Sequence, residues 1–163
     1  MRSNEFMRSL PGAVREVIDP TWSRFRVNGR AWLTQLYYDR PEIHYEVWNL
    51  GEGRGGHPGG SLEIGLHFES RDRDLNAALL AGFQGYLGYI KHMLGERWEA
   101  DVWDRGWTKV YTTTPRGGLT HDDLARVAHE LATAIDVLQP VLTVVMAQIG
   151  QAQRAGPRAA VSR

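Results

Sequence analysis

Between residues 62 and 69 the chain reads Leu-Glu-Ile-Gly-Leu-His-Phe-Glu, so Leu62, Ile64, Leu66 and Phe68 alternate with Glu63, Gly65, His67 and Glu69. A period of two means a strand with one apolar and one mixed face, and a slip of one residue would exchange the faces. Neighbouring strands must therefore agree in phase. Residues 43 to 49 alternate in the same way. Antiparallel pairing that keeps Ile43, Tyr45 and Val47 beside Phe68, Leu66 and Ile64 sets His44 opposite His67 and Trp48 opposite Glu63. Asp39-Arg40-Pro41-Glu42 turns the chain into this strand, and pairing Tyr38 with Ile43 adds Trp32, Thr34, Leu36 and Tyr38 to the apolar face. Asn28-Gly29 predicts a hairpin between 24–27 and 30–38, with Phe25 opposite Trp32. A second hairpin is predicted around a three-residue loop, Asp104-Arg105-Gly106. Its register pairs Trp103 with Trp107 and Asp101 with Lys109, turns Ala100 and Val102 inward, and turns Trp103, Trp107, Lys109 and Tyr111 outward.

Helical spacing fills the rest. Phe6, Leu10, Val14, Val17 and Ile18 fall on one face, interrupted by Pro11-Gly12, which predicts a short helix or a broken pair of turns. Ser70 to Asp74 offers capping oxygens for a helix running to about Leu94. Gly82, Gly85 and Gly88 inside it predict close backbone approach to the sheet or another helix, since each costs about 1 kcal/mol against Ala. Thr120 to Asp123 reads as a capping box opening a long helix that Pro140 should kink or break. Beyond Pro140 the residues to Ile149 are apolar almost all round, which asks for burial against the sheet or a second copy. Gly51 to Gly60, six glycines in ten residues, predicts a flexible hairpin loop, and no phosphate-binding pattern follows it. The order predicts an α+β fold: an antiparallel sheet of five or six strands, meander plus hairpin, with helices packed on one face. Residues 1–150 form a single domain, and 151–163, with three Arg and no acid, a mobile basic tail.

Composition narrows function by exclusion. The 163 residues include no cysteine, which removes disulfide scaffolds, thiolate zinc sites, iron-sulfur clusters and cysteine nucleophiles. The longest apolar run, 141–149, is broken by Thr143 and Gln148 and is far short of the roughly 20 residues of a membrane span. No signal-peptide core follows Met1, so the expected location is cytoplasmic. Nineteen basic residues cancel nineteen acids, but six Arg lie in residues 1–30 and eight acids in 39–74.

Two constellations carry potential chemistry. His44-Tyr45-Glu46 and His67-Phe68-Glu69 repeat His-x-Glu on adjacent strands and place His44, Glu46, His67 and Glu69 on one face. Two imidazole nitrogens and carboxylate oxygens are a donor set for a transition metal. The plainer reading is an ordinary polar face of a half-solvated strand. The second constellation is Trp48, Trp103, Trp107 and Tyr111, projecting from that same face. Each would bury on the order of 150–250 Å² when covered, which predicts a partner for them: self-association, another protein, or a cover from within the chain. Nuclease chemistry lacks its acid-x-lysine element, since Lys91 and Lys109 follow Tyr89 and Trp107 by two residues, and no serine-hydrolase elbow exists. No catalytic residue is assigned. Nucleic acid could meet the arginine-rich termini, though the acids among the aromatics oppose it.

Leu62-Glu63-Ile64-Gly65-Leu66, Asn76, Leu94-Gly95-Glu96, Trp98-Glu99 and a last helix reaching Gln139-Pro140 resemble a small prokaryotic α+β domain of unknown function found alone or fused to restriction-type nucleases. The likeness covers residues 62–142 and implies an accessory role in defence or DNA metabolism. The order of elements is also similar to that of type III secretion chaperones, which are homodimers that bind partner proteins. The expectation is a non-catalytic cytoplasmic interaction module, working as a homodimer or a subunit of a larger assembly. The alternatives are a metal-dependent enzyme using the His-x-Glu pairs and a nucleic-acid-binding accessory protein.

Overall fold

A computed structural model of the chain describes residues 1–156, so the last seven residues of the expected tail lie outside the described residues. The elements in order are α1 (Ser3–Val17), a 3-10 turn (Pro20–Trp22), β1 (Arg26–Arg30), β2 (Leu33–Tyr37), β3 (Ile43–Gly51), β4 (Ser61–Phe68), α2 (Arg73–Gly85), α3 (Leu87–Leu94), β5 (Glu99–Asp104), β6 (Trp107–Pro115) and α4 (His121–Arg154). The six strands form one open antiparallel sheet ordered β1-β2-β3-β4-β6-β5, leaving β1 and β5 as edges. The fold is α+β. Leu36, Tyr45, Val47, Leu62, Ile64, Leu66, Phe68 and Val110 line the inner face and share one core with Phe6 and Leu10 of α1, Leu79 and Phe83 of α2, and Val127, Leu131, Ile135 and Leu138 of α4.

The alternation sets the central registers as read from sequence: Leu36 pairs with Tyr45, His44 with His67 and Trp48 with Glu63. Two hairpins differ. Asn28 and Gly29 lie within β1, opposite Gln35 and Thr34, and the turn falls at Ala31-Trp32, leaving Trp32 51% exposed instead of opposite Phe25. The Asn28 amide donates to Gln35 Oε1 at 3.2 Å, so its side chain supports the ladder and not a turn. At the other hairpin Asp104 pairs with Trp107 around a two-residue loop, with Arg105 at φ 50° and Gly106 at φ 82°. Both central residues are left-handed, which matches the twist of the flanking strands. The residue released from the loop becomes a β-bulge at Trp103, between the Val102–Thr108 and Asp104–Trp107 pairs. On this edge Val102 is 56% exposed, not inward.

Neither internal proline breaks its helix. Pro11 has no N–H for the Met7 carbonyl, and the Thr34 hydroxyl of β2 donates to that oxygen at 2.6 Å. α1 therefore stays continuous because the sheet supplies the missing donor. α4 continues through Pro140, with Ile135 and Leu138 buried before it and Val141, Leu142 and Val145 after it, so packing on both sides outweighs one lost bond. Thr120 and Asp123 cap the start of α4 reciprocally, as expected. The helix runs on to Arg154, which makes 151–154 helical, not tail. By length and composition alone α4 is long and apolar enough to cross a membrane, a test that a core helix also passes, and eleven of its residues are buried against the rest of the chain.

The helix expected from Ser70 to Leu94 is two, divided at Tyr86. Gly82 alone of the three glycines is closely packed: a Cβ there would meet the Val145 methyl carbons of α4, whereas Gly85 and Gly88 have nothing within 4 Å. Close approach explains the first, and freedom from packing lets the chain bend around the others. All six glycines of the 51–60 loop have positive φ. Ser61 Oγ donates to Arg54 O of this loop at 2.6 Å, and Thr113 Oγ1 donates to its Gly55 O at 2.8 Å.

Candidate functional site

The helices all pack on the inner face, so alternation turns His44, Glu46 and Trp48 of β3, Glu63 and His67 of β4, and Lys109 and Tyr111 of β6 onto a face without helices. Glu69 follows β4, fixed by its N–H donating to Glu42 O at 2.8 Å. These strands are neighbours, so the polar side chains converge. The imidazoles of His44 and His67 stack with centroids 5.6 Å apart and planes 22° from parallel. His44 Nδ1 donates to Pro41 O at 2.7 Å, which aims Nε2 into the cluster. Gln35 Nε2 donates to His44 Nε2 at 3.1 Å and to Glu46 Oε2 at 2.7 Å. His44 Nε2 lies 3.4 Å from Glu46 Oε2 and 3.9 Å from Glu69 Oε1, and His67 Nδ1 lies 3.4 Å from Glu69 Oε1.

The other half is an ion pair: Lys109 Nζ donates to both oxygens of Glu63, at 2.8 and 2.7 Å. His67 Nε2 is 3.2 Å from Glu63 Oε1 but poorly aligned and makes no hydrogen bond, so their attraction is electrostatic. His44, Glu46, Glu63, His67 and Lys109 are all buried, and Glu69 is partly exposed. Burial alone raises a carboxyl and lowers an imidazole. Burial is the largest single influence on Glu46 and Glu63, yet His44, His67 and Gln35 around Glu46, and His67 and Lys109 around Glu63, together hold both below the usual carboxylate range. For His67, burial is likewise outweighed by Glu63, Glu69 and Glu46, which push it up to about 9.

Aromatic rings, not helices, seal the cluster. Trp103 stands edge-on to His67 with centroids 5.7 Å apart, and touches Trp48 at 6.3 Å and Trp107 at 5.6 Å. Lys109 Nζ sits 4.1 Å from the Tyr111 ring centroid and 5.3 Å from that of Trp103. The bulge at Trp103 sets its indole against His67 while keeping it beside Trp107, and its Nε1 is buried without an acceptor. Trp48, Trp103, Trp107 and Tyr111 are each half-buried; the three indoles form a continuous row at the surface, and Tyr111 joins it through Lys109.

All eight residues singled out in the sequence therefore stand on one face, and His44, Glu46, His67 and Glu69 have donor atoms within 4.8 Å of one another. Two imidazoles and two carboxylates can bind a transition-metal ion. Sequence reasoning missed Gln35, Glu63 and Lys109 as members. Glu63 was legible opposite Trp48, but Lys109 joins only through the β4–β6 pairing that sets it against His67, for which local sequence carries no signal. His57 is elsewhere, with Nε2 3.1 Å from Thr113 O at the glycine loop. No protein family, curated protein or solved structure matches this chain.

Proposed function

We propose that this protein is a non-catalytic cytoplasmic interaction module that works as a homodimer or as a subunit of a larger assembly, with the helix-free sheet face as its contact surface. The row of Trp48, Trp103, Trp107 and Tyr111 carries this reading. Four large rings are gathered at the surface, and Trp and Tyr dominate interface hot spots. A second copy is the first occupant to test, since two-fold dimers are by far the commonest closed assemblies. The resemblance of residues 62–142 to a nuclease-associated domain supports an accessory role in a defence or DNA-metabolism system. Nucleic acid is less favoured: Glu63, Glu69, Glu99 and Asp101 share or border the aromatic face and would repel a phosphate backbone.

Sedimentation equilibrium tests the dimer. A mass near twice 18.4 kDa, falling towards 18.4 kDa in Trp107→Arg, is the expected result. A strict monomer up to roughly 100 µM, where even about 5.5 kcal/mol of association would be visible, overturns self-association through this face.

A further inference from the structure

We propose that His44, Glu46, His67 and Glu69 form a binding site for one divalent transition-metal ion of the zinc or iron(II) type, which would join β3 to β4 beneath the tryptophan row. The inference is independent of any partner, because it uses the buried polar cluster and not the aromatic surface.

Three observations carry it. The first is spacing. Four ligands held at 2.0–2.1 Å in a tetrahedron stand roughly 3.3 Å from one another. Three of the six separations among His44, Glu46, His67 and Glu69 are 3.4, 3.9 and 3.4 Å, and all lie within 4.8 Å, so an ion would draw the ligands together by side-chain rotation. The second is orientation. Metal-binding histidines almost always donate their other N–H to a carbonyl or carboxylate, which fixes the ring and the free lone pair. His44 does so through Nδ1 to Pro41 O at 2.7 Å, presenting Nε2 to Glu46 and Glu69. The third is charge. Glu46, Glu63 and Glu69 bring three negative charges into a largely buried cluster, and Lys109 answers one of them. A divalent cation that takes the place of the proton on His67 leaves the cluster neutral. The paired imidazoles favour zinc or iron over magnesium or calcium, which prefer an all-oxygen shell.

Gln35 fits the same reading. Its Nε2 donates to His44 Nε2 and Glu46 Oε2, two of the four donor atoms. A bound ion requires that amide to swing aside or to turn its Oε1 inward as a further oxygen ligand. Access is from the Glu69 side, where the carboxylate reaches solvent while both histidines are sealed.

The test uses the full chain, stripped with chelator and dialysed, with Zn²⁺ measured by calorimetry and Co²⁺ by its visible spectrum. One equivalent of each should bind, and Co²⁺ should show the intense bands of a low-coordinate nitrogen–oxygen site. Glu69→Gln, at the most exposed ligand, should keep the far-ultraviolet dichroism and lose at least tenfold in Zn²⁺ affinity. His44→Gln should do the same and alter the Co²⁺ bands, and His121→Gln, at the start of α4, should change neither. No saturable binding to the stripped protein, or one equivalent bound equally well by Glu69→Gln and His44→Gln, overturns the assignment.

Discussion

Gly82 and Gly88 look alike in sequence, three-spaced glycines in an apolar helical stretch, but replacing them with alanine should change stability in opposite directions. At Gly82 the added methyl would fall closer than 3.0 Å to Val145 Cγ1 and 3.0 Å from Cγ2, against an ordinary carbon contact of about 3.5–4.0 Å. Roughly an ångström must be found by moving α2 away from α4, and overpacking of this kind costs about 1–3 kcal/mol. The gain in helix propensity, about 1 kcal/mol, offsets part of it, so Gly82→Ala should lose about 1 kcal/mol. Gly88 is exposed in the first turn of α3 with nothing within 4 Å, so Gly88→Ala meets no obstruction and should add up to about 1 kcal/mol. Val145→Ala removes the obstructing methyls at its own cavity cost. In that background Gly82→Ala should become favourable, with a coupling of about 2 kcal/mol between neighbours. Urea unfolding followed by dichroism, with unchanged slopes, measures all four variants. If Gly82→Ala stabilises as much as Gly88→Ala, or the double variant is simply additive, the close helix contact does not govern this position.

The other expectations concern the sheet. Lys109→Met leaves Glu63 buried without its bidentate partner and should cost about 3–5 kcal/mol, whereas Glu63→Gln combined with Lys109→Met should recover most of that loss in thermal unfolding. In chelator, stability should hold a plateau between about pH 4.5 and 6.5. Glu46 and Glu63 are held low, so their contribution is present above 4.5 and lost as pH falls below it; His67 is held at about 9, so its contribution is full below 6.5 and lost as pH rises to about 9. A urea midpoint that does not decline between pH 6.5 and 9 contradicts the imidazolium. Thr34→Val strips the donor from Met7 O and should cost about 1–3 kcal/mol, with partial recovery on adding Pro11→Ala, which restores a helical N–H; equal losses in both backgrounds would refute the link.

The strand phase was readable because a period of two leaves few choices when one face must be apolar. Leu36 against Tyr45, His44 against His67 and Trp48 against Glu63 all follow from that rule. The same rule places His44, Glu46, His67 and Glu69 and the aromatic row on a common face. Other features depend on contacts between distant segments. Pro11 is tolerated because of Thr34, Pro140 because of the core on either side, and Gly82 because of Val145. Local cues misled at Asn28-Gly29, where the turn signal lost to a longer hairpin with Trp32 at its tip, and at Asp104, where moving the loop by one residue created the bulge that sets Trp103 against His67. Lys109 entered the cluster through sheet topology alone.

That irregularity has a consequence at the border of the sheet. The two free strands differ in charge, β1 carrying Arg26 and Arg30 and β5 carrying Glu99, Asp101 and Asp104, so unlike borders of successive molecules would attract and could stack head to tail without limit. The misregistered step in β5 interrupts the row of amides that an incoming strand needs, which hinders the growth of such ribbons.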